Sequence, residues 1–354
     1  MQLNTCSVYQ CGKFKLLLFS LIFSLWSFAP AQEWIKTGIT CIINTDFEQA
    51  LKLYRDEINL RPQDYRAHFY LAAALNSRMV HFENENGQDQ FDQAIDRTIE
   101  IIQQELRSEN LPDTVGLSQY WFYLGSAYGY RAYNQGRNGK WLAALSNGLK
   151  ATDYLQQAVN ADSTLYDAYL GIGTYKYWRR SKLSFISWLP FFPDDREQGI
   201  RLIKKTADSD CLSRDLAKHQ LVYILLDYGW NDQAIGYGRQ LVADYPRSQF
   251  MRWALAHAYY KSNEYPSAEK EYLCLAELIQ EDQQRNLNHL LNCKYKLAVI
   301  YRALNDNTRC RQQCVNIVEL YDNYSDKDKF DKIDQVRKLL HQVQAETGTS
   351  ATTQ

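Results

Sequence analysis

The sequence lacks the short motifs that accompany common catalytic and metal-binding sites. Its 354 residues include only seven prolines and six scattered histidines, and they contain no H-E-x-x-H, C-x-x-C or G-x-S-x-G motif. Zinc peptidases, thioredoxin-like enzymes and α/β-hydrolases carry those motifs because each one holds a ligand or nucleophile in a fixed geometry. We therefore expect a protein that is not an enzyme and needs no metal and no cofactor. An enzyme whose carboxylates converge only in the fold is the remaining alternative.

An excess of charge of either sign is also missing. Lys and Arg number 40 against 41 Asp and Glu, which gives a formal net charge of −1. Proteins that bind nucleic acid usually carry a basic excess that neutralises phosphates. We expect no nucleic-acid partner, and the hydrophobic content of 45% is typical of a folded protein.

Long apolar runs occur only near the amino terminus. Lys13 and Lys15 precede an apolar run over 16–28, and Ala29 and Ala31 have the spacing of a signal-peptidase site. The run is shorter than the roughly 20 residues that span a bilayer. We predict a signal peptide over residues 1–31 and an exported protein, in the periplasm or cell envelope, with no transmembrane helix after cleavage. An uncleaved anchor is the alternative.

Apolar residues recur at helical spacing along almost all of the remaining chain, and alternating β-branched runs are absent. Within YWFYLGSAYGYRAYNQG (120–136), Trp121, Leu124, Gly125 and Tyr128 match the W-x-x-L-G-x-x-Y pattern of the first helix of a tetratricopeptide repeat (TPR). Such a repeat also needs small residues where its two helices cross. Seven pairs of positions meet this need, with Val222 as the exception: Gly38/Ala50, Ala72/Ala94, Gly125/Ala151, Gly173/Gly199, Val222/Ala234, Ala256/Ala268 and Ala298/Cys310.

On these residues the chain resembles the TPR family. The resemblance implies an all-α fold, a right-handed α-solenoid of about seven TPR-like helical hairpins over residues 32–345. The second to fourth units would have elongated helices or insertions, a capping helix would follow at 330–345, and 346–354 would form a disordered tail. DAYLGIGTYKYW and WLPFFPDDREQGIRLIKKTAD resemble, more narrowly, bacterial exported TPR proteins that are similar to the tetratricopeptide-repeat-39 and mitochondrial Iml2 group.

The resemblance also implies a concave groove lined by the first helices. Aromatic side chains there would anchor an apolar or aromatic-bearing peptide. The alternative is that they fill a tightly wound superhelix. The predicted protein-binding residues are Phe122, Tyr130, Tyr177, Trp178, His219, Tyr223, Trp253, His257, Tyr260 and Tyr295.

The insertions are the second candidate site, because they would project from one edge of the solenoid. The second holds Arg131, Arg137, Lys140 and Trp141. The third places basic residues beside aromatic ones, which suits a partner, a membrane interface, or a plug folded back onto the groove. Its candidate contacts are Arg179, Arg180, Lys182, Phe185, Trp188, Phe191 and Phe192.

Six cysteines follow the predicted signal peptide: Cys41, Cys211, Cys274, Cys293, Cys310 and Cys314. Their spacing leaves the pairing open, with free thiols and a Cys293–Cys314 disulfide as alternatives.

The sequence thus predicts an exported, non-enzymatic scaffold that binds a protein or peptide through the groove and the edge insertions. The alternative function is a peripheral envelope protein that contacts lipid through residues 179–192.

Overall fold

All regular structure in the described part of the chain is helical. The structure, a computed structural model, describes residues 30–109, 111–182, 194–325, 327 and 330–351. The helices are α1 Pro30–Ile43, α2 Phe47–Leu60, α3 Tyr65–His81, α4 Gln88–Glu105, α5 Thr114–Arg137, α6 Trp141–Ala161, α7 Tyr166–Lys182, α8 Arg196–Ala207, α9 Arg214–Tyr228, α10 Asn231–Asp244, α11 Gln249–Lys261, α12 Tyr265–Glu281, α13 Leu287–Ala303, α14 Asn307–Asp322 and α15 Ile333–Ala351.

The helices pack as successive pairs that cross closely at small residues. A Cβ atom placed on Gly173 of α7 would lie 2.6 Å from the carbonyl oxygen of Gly199 in α8. A Cβ atom on Gly125 of α5 would lie 2.9 Å from the carbonyl oxygen of Ala151 in α6. Both distances are too short for a non-bonded contact between carbon and oxygen, so only glycine fits at Gly125 and Gly173. The two crossings predicted at Gly125/Ala151 and Gly173/Gly199 are confirmed.

The first helices of neighbouring pairs form the inner layer. Each of α1, α3, α5, α7 and α9 contacts the first helix of the next pair as well as its own partner. Elements on the inner side of a curved array are nearer to one another than those outside. The first helices therefore lie on the concave side, as the sequence resemblance implies.

The core is a series of clusters along the array. An N-terminal cluster is built by α1 to α5, and a C-terminal cluster by α9 to α15. Ile39 of α1 packs against both clusters, and Ile43 at the end of α1 is buried in the C-terminal one. The first helix therefore joins the N-terminal cluster to the C-terminal cluster.

Hydrogen bonds between residues far apart in sequence fix this arrangement, which we call the closure. Ser248, the N-cap of α11, accepts the Met251 N–H at 3.2 Å and donates its hydroxyl to the Ile43 carbonyl at 2.5 Å. The N-cap of α13, Asn286, likewise accepts the His289 N–H at 3.0 Å and donates Nδ2 to the His81 carbonyl. Each side chain thus accepts a hydrogen bond from a free N–H at the start of its own helix and donates one to a carbonyl at the end of a distant helix.

Side chains complete the closure. Nδ2 of Asn288 donates to the Glu83 carboxylate at 2.5 Å. The His81 and His289 rings meet edge to face with their centroids 4.8 Å apart. Burial lowers the pKa of His81 to about 4 and that of His289 to about 3. The negative charge of Asp282 raises the pKa of His81, but the loss of hydration of the imidazolium lowers it more. The Glu83 carboxylate lies 3.7 Å from His289, and there too desolvation is the largest effect on the pKa.

The ends of the chain differ in part from the sequence prediction. Helix α15 continues to Ala351, beyond residue 345, where the cap was expected to end. Arg302 of α13 holds this extension through two hydrogen bonds to the Glu346 carboxylate, at 2.7 and 2.6 Å.

The predicted signal peptide, apart from its last two residues, lies outside the described residues. The six remaining cysteines are free thiols, and none of the helices in the described ranges has the length and apolarity to cross a membrane.

The tight crossing at Gly173 gives a stability prediction. Gly173→Ala should lower the free energy of unfolding by about 1–3 kcal/mol, because the new methyl group forces α7 and α8 apart. Gly236→Ala is the matched control, since Gly236 is in α10 and a Cβ there meets nothing within 4 Å. The control should raise stability by about 0.5–1 kcal/mol. Urea titrations followed by circular dichroism compare the two, and equal effects would contradict the close crossing.

The buried histidines of the closure predict a loss of stability in acid. The unfolded chain takes up protons near the ordinary histidine pKa of 6.5, whereas His81 and His289 stay neutral in the fold until much lower pH. Their contribution is therefore complete above pH 6.5 and is lost as pH falls towards 4. Between about pH 7.5 and about pH 5 the free energy of unfolding should drop by about 1–2 kcal/mol for each histidine.

Urea titrations at the two pH values measure this drop. His289→Gln should make the drop smaller, because glutamine does not titrate. His341→Gln is the control, since His341 is exposed on α15. A pH dependence that is identical in the wild type and in both variants would contradict the burial of neutral imidazoles at the closure.

Candidate protein-binding groove

Five of the predicted groove residues come together on the inner face of α9, α11 and α13. They form what we call the C-terminal strip: Tyr223, Trp253, His257, Tyr260 and Tyr295. All five are half-buried, and the four apolar ones pack against the C-terminal cluster. Each ring thus keeps part of its surface exposed.

Ring contacts fix the strip in place. The Tyr223 and His257 rings stack with centroids 5.8 Å apart and planes 27° apart. Trp253 meets Tyr272 edge to face at 6.0 Å and lies 5.7 Å from His289 of the closure. Side chains held in this way lose little conformational entropy when a ligand binds. The strip is therefore a preorganised surface that begins at the closure.

Lysines lie at the other end of the strip. Nζ of Lys296 is 4.2 Å from the centroid of the Tyr260 ring, a cation–π contact. Burial lowers the pKa of Lys296, and the positive charges of Lys261 and Lys332 lower it further. Asp331 offsets part of this charge through a 2.5 Å hydrogen bond from Lys332. An anion between these ammonium groups would relieve their repulsion.

The lysines were not predicted from the sequence, although one of them could have been. Lys261 follows Ala256 by the same offset that relates Tyr130 to Gly125 and Trp178 to Gly173. Lys296 is not at a groove offset, and only its contact with Tyr260 in the fold shows that it belongs to the strip.

His257 is neutral within this cationic end. Burial lowers its pKa to about 4, and the charges of Lys296 and Lys261 act in the same direction. At neutral pH the imidazole therefore adds a flat, uncharged surface beside Tyr223 rather than a further positive charge.

Two other predicted residues belong to a separate part of the inner face. Phe122 meets Tyr123 edge to face at 5.0 Å, and Tyr130 meets Phe69 at 5.6 Å. Phe122 and Tyr130 are half-buried against the N-terminal cluster, not against the C-terminal one. They keep some exposed surface but are not part of the C-terminal strip.

The structure corrects the assignment of Tyr177 and His219. Tyr177 is 0% exposed, and its hydroxyl donates to the Asp227 carboxylate at 2.5 Å and lies 3.2 Å from the Ile224 carbonyl oxygen. His219 is 8% exposed and stacks on Phe250 at 3.8 Å. Both side chains fill the space between adjacent helices, where a partner would not reach them, so we leave them out of the site. Half-buried Trp178 packs on Tyr177 at 5.1 Å.

The predicted contact segment 179–192 is described only at its start. Arg179 donates to the Asp195 carboxylate at 2.7 Å, which ties the end of α7 to the start of α8. The side chains of Arg180 and Lys182 lie outside the described residues. The same holds for the remaining members of that prediction, Phe185, Trp188, Phe191 and Phe192.

Metal-ligating side chains do not gather in the described ranges. No three His, Cys, Asp or Glu side chains in those ranges converge as a metal site requires. A solvent-open cavity of about 440 Å³ lies between α2, α3 and α4, lined in part by Arg55 and Arg97. Arg55 already donates to Gln90, and Arg97 donates to Glu100 and Gln63. Neither arginine needs a ligand there.

Comparison with known proteins defines the class of fold. No protein-family model matches the chain, and no curated protein sequence matches it. Among solved structures, a chain of the APC/C hetero-tetramer Cut9–Hcn1 superposes with a TM-score of 0.54 at 13% identity, covering 90% of this chain and 50% of that one. The present chain thus spans about half the length of that solved chain.

Other solved structures resemble it more distantly. Part of a TPR repeat-containing protein from Cytophaga hutchinsonii gives a TM-score of 0.45 at 15% identity, covering 84% of this chain and 98% of that one. PilW, a type IV pilus biogenesis factor, gives 0.47 at 13% identity, covering 70% and 93%.

The fold is a TPR-type α-solenoid, as the sequence predicts. The number of seven units and the resemblance to the Iml2 group stay predictions.

The burial of Tyr177 gives a test that separates packing from binding. Tyr177→Phe should lower the free energy of unfolding by about 1–2 kcal/mol, because the carboxylate of Asp227 loses a buried donor. It should not alter binding at the C-terminal strip. Tyr133→Phe is the control, since Tyr133 of α5 is 53% exposed, and it should be neutral. Thermal and urea unfolding measure both, and a neutral Tyr177→Phe would return Tyr177 to the candidate surface.

Proposed function

We propose that this chain is an exported, non-enzymatic helical-repeat scaffold that binds another protein at the C-terminal strip. One observation carries the proposal: aromatic side chains from three successive first helices share a partly exposed inner face that ends in lysines. Export rests on the signal-peptide pattern of residues 1–31, and the location that we propose is the periplasm or cell envelope.

The strip has the composition of a binding hot spot. Tyr and Trp bury large areas with few rotatable bonds, and they dominate the energy of many protein interfaces. Here the rings are held by Tyr272, His289 and one another before any partner arrives. A ligand would therefore meet a formed surface, and the partner's own ordering would be the main entropic cost.

The lysines indicate the chemistry of the partner. Lys296 is half-buried beside Lys261 and Lys332, so its charge is disfavoured in the free protein. A carboxylate there would form charge-assisted hydrogen bonds and remove that repulsion. The partner segment should therefore carry an acidic group next to an apolar or aromatic side chain that rests on Tyr260 and Trp253.

The closure limits how the partner binds. His289 contacts both Trp253 and His81, so one end of the strip abuts the N-terminal half of the chain. A bound segment would extend from this boundary towards Tyr295 and Lys296. We expect a short, extended or helical segment rather than a long peptide threaded through the superhelix.

Lipid contact through residues 179–192 and an enzymatic function stay as alternative hypotheses. The first depends on residues outside the described ranges. The second would require carboxylates or histidines that converge in a pocket.

Charge removal in the strip tests the proposal. Peptides selected on the wild-type chain from a random library should be enriched in acidic residues beside aromatic ones. Lys261→Gln with Lys296→Gln should weaken their binding about 10–100-fold, because charge-assisted contacts are lost. The free energy of unfolding should stay equal or rise, since Lys296 no longer opposes its neighbours. Fluorescence anisotropy and urea titration measure the two effects.

The control removes the same charge elsewhere. Lys36→Gln with Lys270→Gln changes two exposed lysines outside the strip and should leave peptide affinity unchanged. Selection of no peptide, or of peptides that bind all variants equally, would overturn the assignment of the strip as the binding site.

A further inference from the structure

The amino-terminal half of α6 presents an apolar face to solvent. Trp141 is 72% exposed and Leu142 86%, followed by Leu145 at 46% and Leu149 at 48%. Positions 141, 145 and 149 lie one above another on a helix, and 142 is beside them. We call these four side chains the α6 ridge. Most large apolar side chains elsewhere in the described part are buried or half-buried, so this stripe is unusual for the molecule.

The ridge stands at the end of the longest helix pair. Helix α6 has ten residues before Ala151, whereas α4 has six before Ala94 and α8 has three before Gly199. At about 1.5 Å per residue, the start of α6 therefore lies about 6–10 Å farther from the crossing than the starts of α4 and α8 do. The high exposure of Trp141 and Leu142 agrees with this extension of α6. Peptides usually bind in grooves, whereas a protruding helix end can insert into a deformable surface such as a lipid bilayer.

The chain segment that carries the ridge has charge of one sign. No Asp or Glu occurs between residues 114 and 152, a stretch that includes Arg131, Arg137, Lys140 and Lys150. Arg131 pairs with Asp96, and Lys150 lies 5.4 Å from the Tyr128 ring centroid. Arg137 at the end of α5 and Lys140, the N-cap of α6, are exposed and make no ion pair within the part of the chain that the structure describes. In a protein of net charge −1, this is a local basic rim around an apolar stripe.

We propose that the α6 ridge docks the protein on an anionic lipid bilayer. Trp and Leu side chains of a surface helix enter the boundary between headgroups and acyl chains, and basic residues beside them pair with anionic headgroups. Trp141 at the protruding end is well placed for the interface, where tryptophan is enriched.

The same features disfavour the other occupants. Two copies joined through the ridge would bring Arg137 and Lys140 of one chain against those of the other. Another face of α6, which carries Ala151 and Leu155, is already packed against Gly125 of α5. The ridge and the C-terminal strip are on different helices, so failure of one proposal leaves the other standing.

Vesicle binding of the full chain tests the proposal. The probe is a sucrose-loaded vesicle of equal parts phosphatidylglycerol and phosphatidylcholine, with pure phosphatidylcholine vesicles for comparison. We expect sedimentation with the anionic vesicles and a lower partition coefficient on neutral ones. Leu142→Glu with Leu145→Glu should lower the coefficient at least about tenfold, and Arg137→Gln with Lys140→Gln about tenfold.

Matched variants exclude general effects. Leu60→Glu changes another exposed leucine, 75% exposed at the end of α2, and should bind like the wild type. Lys36→Gln with Lys270→Gln is the control for charge. Any lipid binding by the apolar run at 16–28 is common to all these chains, so only a difference among them bears on the ridge. Circular dichroism confirms that each variant is folded.

Fluorescence places the ridge in the bilayer directly. Brominated acyl chains quench a tryptophan that enters the membrane, and the difference between the wild type and Trp141→Phe isolates one of eight tryptophans. We expect that difference signal to be quenched. The proposal is overturned if Trp141 is not quenched, if the α6 variants bind vesicles like the wild type, or if no variant binds. It is also overturned by a lipid-free dimer that Leu142→Glu dissociates.

Discussion

The whole array depends on how closely paired helices can cross. Where α7 crosses α8, the carbonyl oxygen of Gly199 occupies the space that a Cβ on Gly173 would need, and Leu155 and Ala151 do the same at Gly125. This approach lets Ile203 and Leu155 bury their side chains across the crossing, with 0% and 4% exposure. The first helices are then drawn together on the inner side, which gives the curvature on which the groove depends. Bulkier residues at these crossings would open each pair and flatten the curve.

The curvature has a second consequence, the closure of the array on itself. Ser248 and Asn286 are N-caps, and the same side chains reach carbonyls at the ends of α1 and α3. The C-terminal strip begins beside this contact because Trp253 lies against His289. Its rings are therefore supported by both halves of the chain. The binding surface and the closure share His289, so a change of pH that charges His81 or His289 would weaken both.

The repeat architecture could be predicted from the sequence because it rests on local spacing. The W-x-x-L-G-x-x-Y pattern and the recurring small residues locate helices and crossings without any knowledge of the superhelix. The closure could not be predicted, since Ser248 is 205 positions from Ile43 and their contact depends on the accumulated curvature of all the intervening pairs. Tyr177 was misassigned for a related reason: its groove offset is correct, yet its ring packs into the apolar cluster shared with α8 and α9, and Asp227 of α9 accepts its hydroxyl. Lys261 occupies a groove offset but is not aromatic, and Lys296 occupies none, so the search for aromatic anchors could not predict either lysine.

The central claim is that a protein partner occupies the C-terminal strip. Its most direct test places a photo-crosslinking amino acid, benzoylphenylalanine, at Tyr260 in one chain and at exposed Tyr133 in another. Each chain is expressed in cells of the organism from which the protein comes. The account predicts a discrete crosslinked protein at position 260, mapped to a segment with an acidic residue beside an apolar one, and none of that species at 133. Crosslinks of equal yield at both positions, or none at 260 from a folded and exported chain, would contradict it.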